Sequence, residues 1–190
     1  MGTDAAANGL VFSHAQKYIG EQVSLALDRI DPTVIARAVE ILLKAGAVFV
    51  YGAGRSGIIG RAFAMRLVQV GLTAYVIGES VTPIVRSGDA VFILSGRGES
   101  YSSIQAANIV RREGAQLIVV TARPTSKLAH VGTLLIPVDF PEDPARPELA
   151  PLGTLFESAS LRLTDALIAD VMAARGENES SMRRRHAIII

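Results

Sequence analysis

The sequence predicts an α/β fold, a three-layer sandwich in which a five-stranded parallel sheet is flanked by helices, with extra helices ahead of it. Three observations predict it. Short apolar runs such as Val48–Tyr51 and Ala90–Leu94 lack polar alternation, as strands buried on both faces do. Each run is separated from the next by a helical period or a loop, the connection that parallel strands require. Two of the runs stop abruptly in small-residue loops, Gly52–Gly57 and Ser95–Ser103, and a helical period follows each.

The elements follow in order. Residues 1–9 are small and polar and are expected to be loose. N-terminal helices occupy about 11–45. In the first, Phe12, Ala15, Ile19, Val23, Ala26 and Ile30 recur every three or four residues. Asp31-Pro32 opens the second, an acceptor at the N-cap followed by proline where no N–H is needed. Val34, Ile35, Ala38, Val39 and Leu42 carry it to Gly46. The sheet core spans about 47–138, with strands at Val48–Tyr51, Ala74–Gly78, Ala90–Leu94, Gln116–Thr121 and Thr133–Val138. Asp139–Glu148 contains three prolines and several charges and reads as a surface loop or lid. A C-terminal helix covers about 151–174, with Leu152, Leu155, Phe156, Ala159, Leu163, Leu167 and Val171 on one face. The charged tail, 175–190, closes on four apolar residues after His186, which suggests that it docks, for instance onto a neighbour.

Composition bounds the function. The 190 residues suit one domain spanning 1–190, and 49% apolar content excludes a disordered chain. Net charge is +1 and the basic residues are scattered, which argues against a nucleic-acid partner. No apolar stretch reaches membrane-spanning length, and residues 1–12 lack the start of a signal peptide. Cysteine is absent, so disulfides, thiolate metal sites and a cysteine nucleophile are excluded. A cytoplasmic protein is the simplest reading. The positive mean hydropathy hints at apolar surface buried between subunits.

Chemistry is concentrated in the two loops. In Ser95-Gly96-Arg97-Gly98-Glu99-Ser100-Tyr101-Ser102-Ser103, glycines let the backbone approach a ligand and hydroxyls add neutral donors. The next helix presents unpartnered N–H groups at the positive end of its dipole. Such a loop suits a phosphate, although a plain turn with a serine cap would look the same. Gly52, Gly54 and Gly57 resemble a dinucleotide fingerprint, with Glu79 where a ribose ligand would be needed. That scheme leaves the Ser95 loop without a role, so Gly54-Arg55-Ser56 is better read as contacting a small anionic substrate. Both loops fall at the carboxyl ends of strands, where parallel sheets bind ligands. Glu79 itself ends the second strand and could face the site.

On the long helix, Gly153, Glu157, Ser160 and Thr164 form a line beside the apolar stripe. It is either a solvated face or a small-residue surface that makes room for a ligand with Glu157 pointing into it. His14 and His130 read as structural or exposed, and no histidine–carboxylate spacing suggests a metal.

Taken together, Gly52–Gly57, Ala62–Leu67, Gly78–Pro83, the Ser95 loop, Ala150–Glu157 and Arg185-His186-Ala187 resemble the sugar isomerase (SIS) domain family. The last two segments narrow the resemblance to its 6-phospho-3-hexuloisomerase branch. It covers about Ala47 to Ala187 in the right order. The resemblance implies a flavodoxin-like five-stranded parallel sheet and a homotetramer with sites at subunit interfaces. It implies interconversion of D-arabino-3-hexulose 6-phosphate and fructose 6-phosphate, in the ribulose monophosphate pathway, without metal or organic cofactor. Ser56 and the Ser95 loop, with Ser95, Ser100 and Ser103, would hold the phosphate and sugar hydroxyls. Glu157 would be the acid/base, and His186, from an adjacent subunit, would complete the catalytic group. One departure stands out: the family loop usually reads Ser-Gly-Ser-Gly-Glu-Thr, and here Arg97 replaces its second serine. Arg97 either swings onto the phosphate or points outward while its N–H binds.

Moving a carbonyl from C3 to C2 takes a proton from one carbon and returns one to its neighbour through an enediol. A carboxylate partly withdrawn from water can do both. Two other classes remain open, another phosphosugar isomerase, such as one acting on arabinose 5-phosphate, and a non-catalytic phosphosugar-sensing module. The first 46 residues lack a DNA-binding helix-turn-helix pattern, and Glu157 and His186 favour an enzyme.

Overall fold

The structure, a computed structural model, describes residues 4–187. The expected docking of the apolar end falls on Ile188–Ile190, outside the described residues.

Five strands, β1 (Val48–Gly52), β2 (Ala74–Val76), β3 (Ala90–Leu94), β4 (Gln116–Thr121) and β5 (Leu134–Pro137), form one sheet in the order β2-β1-β3-β4-β5. Every pairing is parallel. The chain leaves β1 toward β2 on one side and returns to place β3 on the other, so the strand order reverses there. Gly52 and Leu94 are register partners, which sets the ends of β1 and β3 side by side at this switch point.

Successive strand residues point to opposite faces, and the core divides accordingly. On one face Val50, Phe92, Leu94, Ile118 and Val120 pack under α2 (Pro32–Lys44), α3 (Arg55–Gln69) and α7 (Thr154–Ala174), with α1 (Asp4–Asp28) outside α7. On the other, Phe49, Val91, Ile93, Leu117 and Val119 pack under α4 (Tyr101–Arg112) and α5 (Lys127–Val131). Phe63 of α3 and Phe92 are fully buried with ring centroids 4.8 Å apart. Truncating either ring would cost about 3–5 kcal/mol. The second helix begins as its sequence dictates, with Asp31 accepting from the Thr33 N–H at 2.8 Å and Pro32 at the first position. Those bonds also hold the Asp31 carboxyl below its ordinary pKa.

Several boundaries differ from expectation. The first helix starts at Asp4 instead of near Val11, so residues 4–9 are helical and not loose. Alanine is the strongest helix former, and Ala5-Ala6-Ala7 supplies three in a row. Phe12, placed on the buried stripe, is 72% exposed because the helix packs into the core only through its later turns, from Ile19 to Leu27. Strand β2 stops at Val76; the Ile77 N–H still donates to the Val50 carbonyl at 2.9 Å, and the chain turns at Gly78, φ 103°. Leu152 was assigned to the buried stripe and is fully exposed with φ 57°, because α7 starts only at Thr154. The segment after β5 contains a short helix, α6 (Arg146–Leu149), and is strapped to α1 by the Tyr18 hydroxyl, which donates to Asp143 at 2.9 Å. The tail folds into α8 (Glu179–Arg184), opened by a capping box between Asn178 and Ser181.

Candidate active site

Three segments meet at the switch point. The first is the Gly52–Gly57 turn. A Cβ at Gly52 would come within 2.7 Å of the Ser56 carbonyl carbon, and one at Gly57 would collide with the Gly52 carbonyl. Those glycines therefore serve a tight strand-to-helix turn. It delivers Arg55 as the first residue of α3, with Ser56 half-buried behind it.

The second is the first turn of α7, which carries Glu157. Its side chain is only 14% exposed, and its Oε2 lies 2.6 Å from Arg55 Nε, whose side chain is 70% exposed. The carboxylate folds back toward the helix start. A Cβ at residue 153 would stand 2.8 Å from Glu157 Oε1, so Gly153 makes the space that the carboxylate uses. The polar line beyond it is not a solvated face. Ser160 and Thr164 are buried, and the Thr164 hydroxyl donates to the Ser160 carbonyl at 2.9 Å.

The third is the Ser95 loop. Ser95 is buried at the end of β3, with its N–H on the Val120 carbonyl at 3.0 Å. The Gly98 N–H returns to the Ser95 carbonyl at 3.1 Å and closes a tight loop. Ser100 occupies the N-cap of α4 but caps no N–H there; its hydroxyl lies 3.1 Å from that of Ser102. The plain serine-capped turn is thus not what the loop contains. Ser103, in the first turn, is fully buried with no hydrogen-bond partner for its hydroxyl. Gly96 touches the Phe156 ring, which brings the loop against the turn that carries Glu157. Arg97 is exposed and, among the described residues, makes no hydrogen bond or ion pair.

Two expected site residues stand elsewhere. Glu79 is half exposed and pairs with Arg61 of α3 at 2.8 Å. Arg61 lines a small cleft of about 160 Å³ between β1, β2 and α3, together with Gly54 and Gly57. Neither Glu157 nor the Ser95 loop lines this cleft, and its arginine was not singled out from the sequence. That arginine lies six residues along α3 from Arg55, a spacing that carries no sequence signal.

His186 is farther away. Arg185 donates to the Gln69 carbonyl at 3.1 Å, and Arg175 to the Val70 carbonyl at 3.1 Å, both at the C-terminal end of α3. Arg55 begins the same helix, so about 21 Å of helix separates this anchor from the Glu157 pair. Arg185 also holds Glu177, whose carboxyl is lowered to about 2 mainly by that guanidinium and then by the Ser181 hydroxyl. Among the described residues, no three His, Cys, Asp or Glu side chains gather as metal ligands, and no helix is long and apolar enough to cross a membrane.

Comparison with known proteins shows the family and the fold. Residues 41–151 match the model of the SIS domain. The chain is 35% identical over 145 residues to the 3-hexulose-6-phosphate isomerase of Methylomonas aminofaciens, covering 75% of this chain and 80% of that one. It is 34% identical over 150 residues to the 3-hexulose-6-phosphate isomerase of Bacillus subtilis, covering 77% and 81%. A crystal structure from Methanococcus jannaschii, from which a molecular function of 3-hexulose-6-phosphate isomerase was inferred, superposes with a TM-score of 0.82 at 27% identity. It covers 90% of this chain and 97% of that one.

Proposed function

Because the chain belongs to the SIS domain family, we propose that it is a phosphosugar isomerase that interconverts D-arabino-3-hexulose 6-phosphate and fructose 6-phosphate. The observation that carries this reading is the contact between a nearly buried carboxylate, Glu157, and Arg55 beside a serine-glycine loop that opens a helix. An acid/base and a phosphate cradle at one switch point are what an enediol isomerisation of a sugar phosphate needs.

The phosphate lies over the start of α4, held by backbone N–H groups and by Ser95 and Ser100. The Ser100 hydroxyl caps no N–H and is available for it, whereas Ser103, expected as a phosphate ligand, sits on the buried face of α4 with Ala107 and Val110 and does not reach it. Gly54 and Ser56 line the turn opposite. Glu157 removes the C2 proton of the 3-keto sugar and returns a proton to C3 of the 2,3-enediol, while the O2 proton passes to O3, which leaves the carbonyl at C2. Arg55 neutralises the negative charge that builds on the enediolate oxygen once the sugar lies between it and the carboxylate. Glu79, tied to Arg61, has at most an indirect part. His186 acts from a neighbouring subunit, since its own chain holds it at the far end of α3. The enzyme is then a cytoplasmic homotetramer with sites between subunits.

The test is a coupled assay of fructose 6-phosphate formation from 3-hexulose 6-phosphate, with arabinose 5-phosphate in parallel. Turnover of the hexulose phosphate alone is expected. Turnover of arabinose 5-phosphate alone would move the chain to another phosphosugar isomerase. Binding without turnover of either sugar would make it a sensing module.

A further inference from the structure

The β3–α4 and β4–α5 loops are interlocked. The Ala122 N–H donates to the Gly96 carbonyl at 3.0 Å, and the Thr121 hydroxyl donates to the same carbonyl at 3.2 Å. The Leu128 N–H donates to the Gly98 carbonyl at 3.1 Å, and the Lys127 N–H to Glu99 Oε1 at 3.2 Å. Ser126 fills the space beside Gly98. These bonds extend the β3–β4 pairing past the strand ends. Arg97 and Arg123 each follow a partner of the Gly96–Ala122 bond, so the two arginines stand on adjoining loops that are hydrogen-bonded to each other.

Both arginines are exposed, and neither makes an ion pair among the described residues. Lys127 adds a third cation on the same two loops. The only carboxylate there, Glu99, already accepts from the Lys127 N–H. Like charges gathered on adjoining loops repel each other unless an anion lies between them. These stand at the carboxyl ends of β3 and β4, next to the serine loop.

We propose that Arg97 and Arg123 form a second anion site beside the phosphate loop, and that the chain binds ligands carrying two phosphoryl groups more tightly than those carrying one. The inference rests on the isomerase reading only in taking the Ser95 loop as the seat of the first phosphate. The guanidinium planes suit phosphoryl oxygens as paired donors, and both side chains can reach a group at the rim. The second phosphoryl belongs either next to the first, as in a diphosphate, or across a sugar from it, as in a sugar bisphosphate.

Calorimetric titration with fructose 6-phosphate, fructose 1,6-bisphosphate and, against inorganic phosphate, pyrophosphate tests this on the wild type and on Arg123→Ser and Arg123→Glu. At least one doubly phosphorylated probe is expected to bind about threefold to tenfold tighter than its singly phosphorylated counterpart. That ratio should fall toward one in Arg123→Ser and below one in Arg123→Glu. A gain confined to pyrophosphate places the second group beside the first, and a gain confined to the bisphosphate places it across the sugar. Equal affinities in the wild type, or a gain that survives both substitutions, would overturn the proposal while leaving the isomerase reading intact. Bisphosphate binding that depends on Arg123, with no binding of fructose 6-phosphate, would sink the isomerase reading and keep the anion site. No binding of any probe would overturn both.

Discussion

Arg55 Nε and Glu157 Oε2 stand 2.6 Å apart and join the first turn of α3 to the first turn of α7 across the carboxyl end of the sheet. The pair is lopsided, with the arginine largely in water and the carboxylate largely out of it. Such a pair contributes little to stability, on the order of 1 kcal/mol or less. What it does is hold a carboxylate at a set place in an open site, with a cation beside it that can turn to a substrate.

Replacing Arg55 by alanine should therefore hurt catalysis more than folding. Loss of one charge-assisted contact predicts a fall in kcat/KM of about 10- to 100-fold. The melting temperature should move by only a few degrees. Steady-state kinetics and a thermal melt on the same preparation check both, and added guanidinium should restore part of the rate.

Ser100→Ala separates a capping role from a binding one. A serine that caps a helix costs about 1 kcal/mol when it becomes alanine. Here the hydroxyl caps nothing, so stability should stay within about 0.5 kcal/mol of wild type, while fructose 6-phosphate binds roughly fivefold more weakly. A denaturant titration and calorimetry read the two effects apart.

The tail anchor has its own pH signature. The Glu177 carboxyl lies at about 2 in the fold and near 4.5 in an ordinary setting. A depressed carboxyl contributes stability that is fully present above 4.5 and is lost as pH falls through 2. Residues 176–187 should then stay protected from hydrogen exchange down to about pH 4 and open between 4 and 2. Glu177→Gln should open the same segment at neutral pH, and with it displace His186.

If His186 serves a neighbour, inactive subunits should complement each other. Mixing Glu157→Gln chains with His186→Ala chains under exchange conditions should restore about a quarter of wild-type sites by random assortment. Either variant alone should remain inactive. No recovery on mixing would place both groups in one chain's site, or show that His186 takes no part.

Much of the fold was legible because parallel strands buried on both faces have no polar alternation to confuse them, and all five runs became strands. The two loops were legible for a related reason: glycine and serine clusters directly after such runs have few structural meanings. Glu157 was visible as the lone carboxylate in a line of small residues. What the pattern could not carry was tertiary. Leu152 fits a helical period that the chain does not use, because the turn Pro151-Leu152-Gly153 precedes the helix. Glu79 lies at the right strand end, but Arg61 takes it, and a helix residue six positions after Arg55 gives no sign of that. The tail's anchor on Gln69 and Val70 depends on carbonyls at a helix end, which no periodicity reports. Arg123 shares the rim with Arg97 through hydrogen bonds between their two loops, which no sequence spacing reports.

The central claim is that Glu157 moves the proton, and the kinetics of Glu157→Gln with 3-hexulose 6-phosphate test it most directly. Glutamine keeps the size and the polar contact with Arg55 and removes the base. The account predicts a kcat lower by about 10²- to 10⁴-fold with KM within a few-fold of wild type. Turnover close to wild type would contradict it and move the acid/base role to another residue.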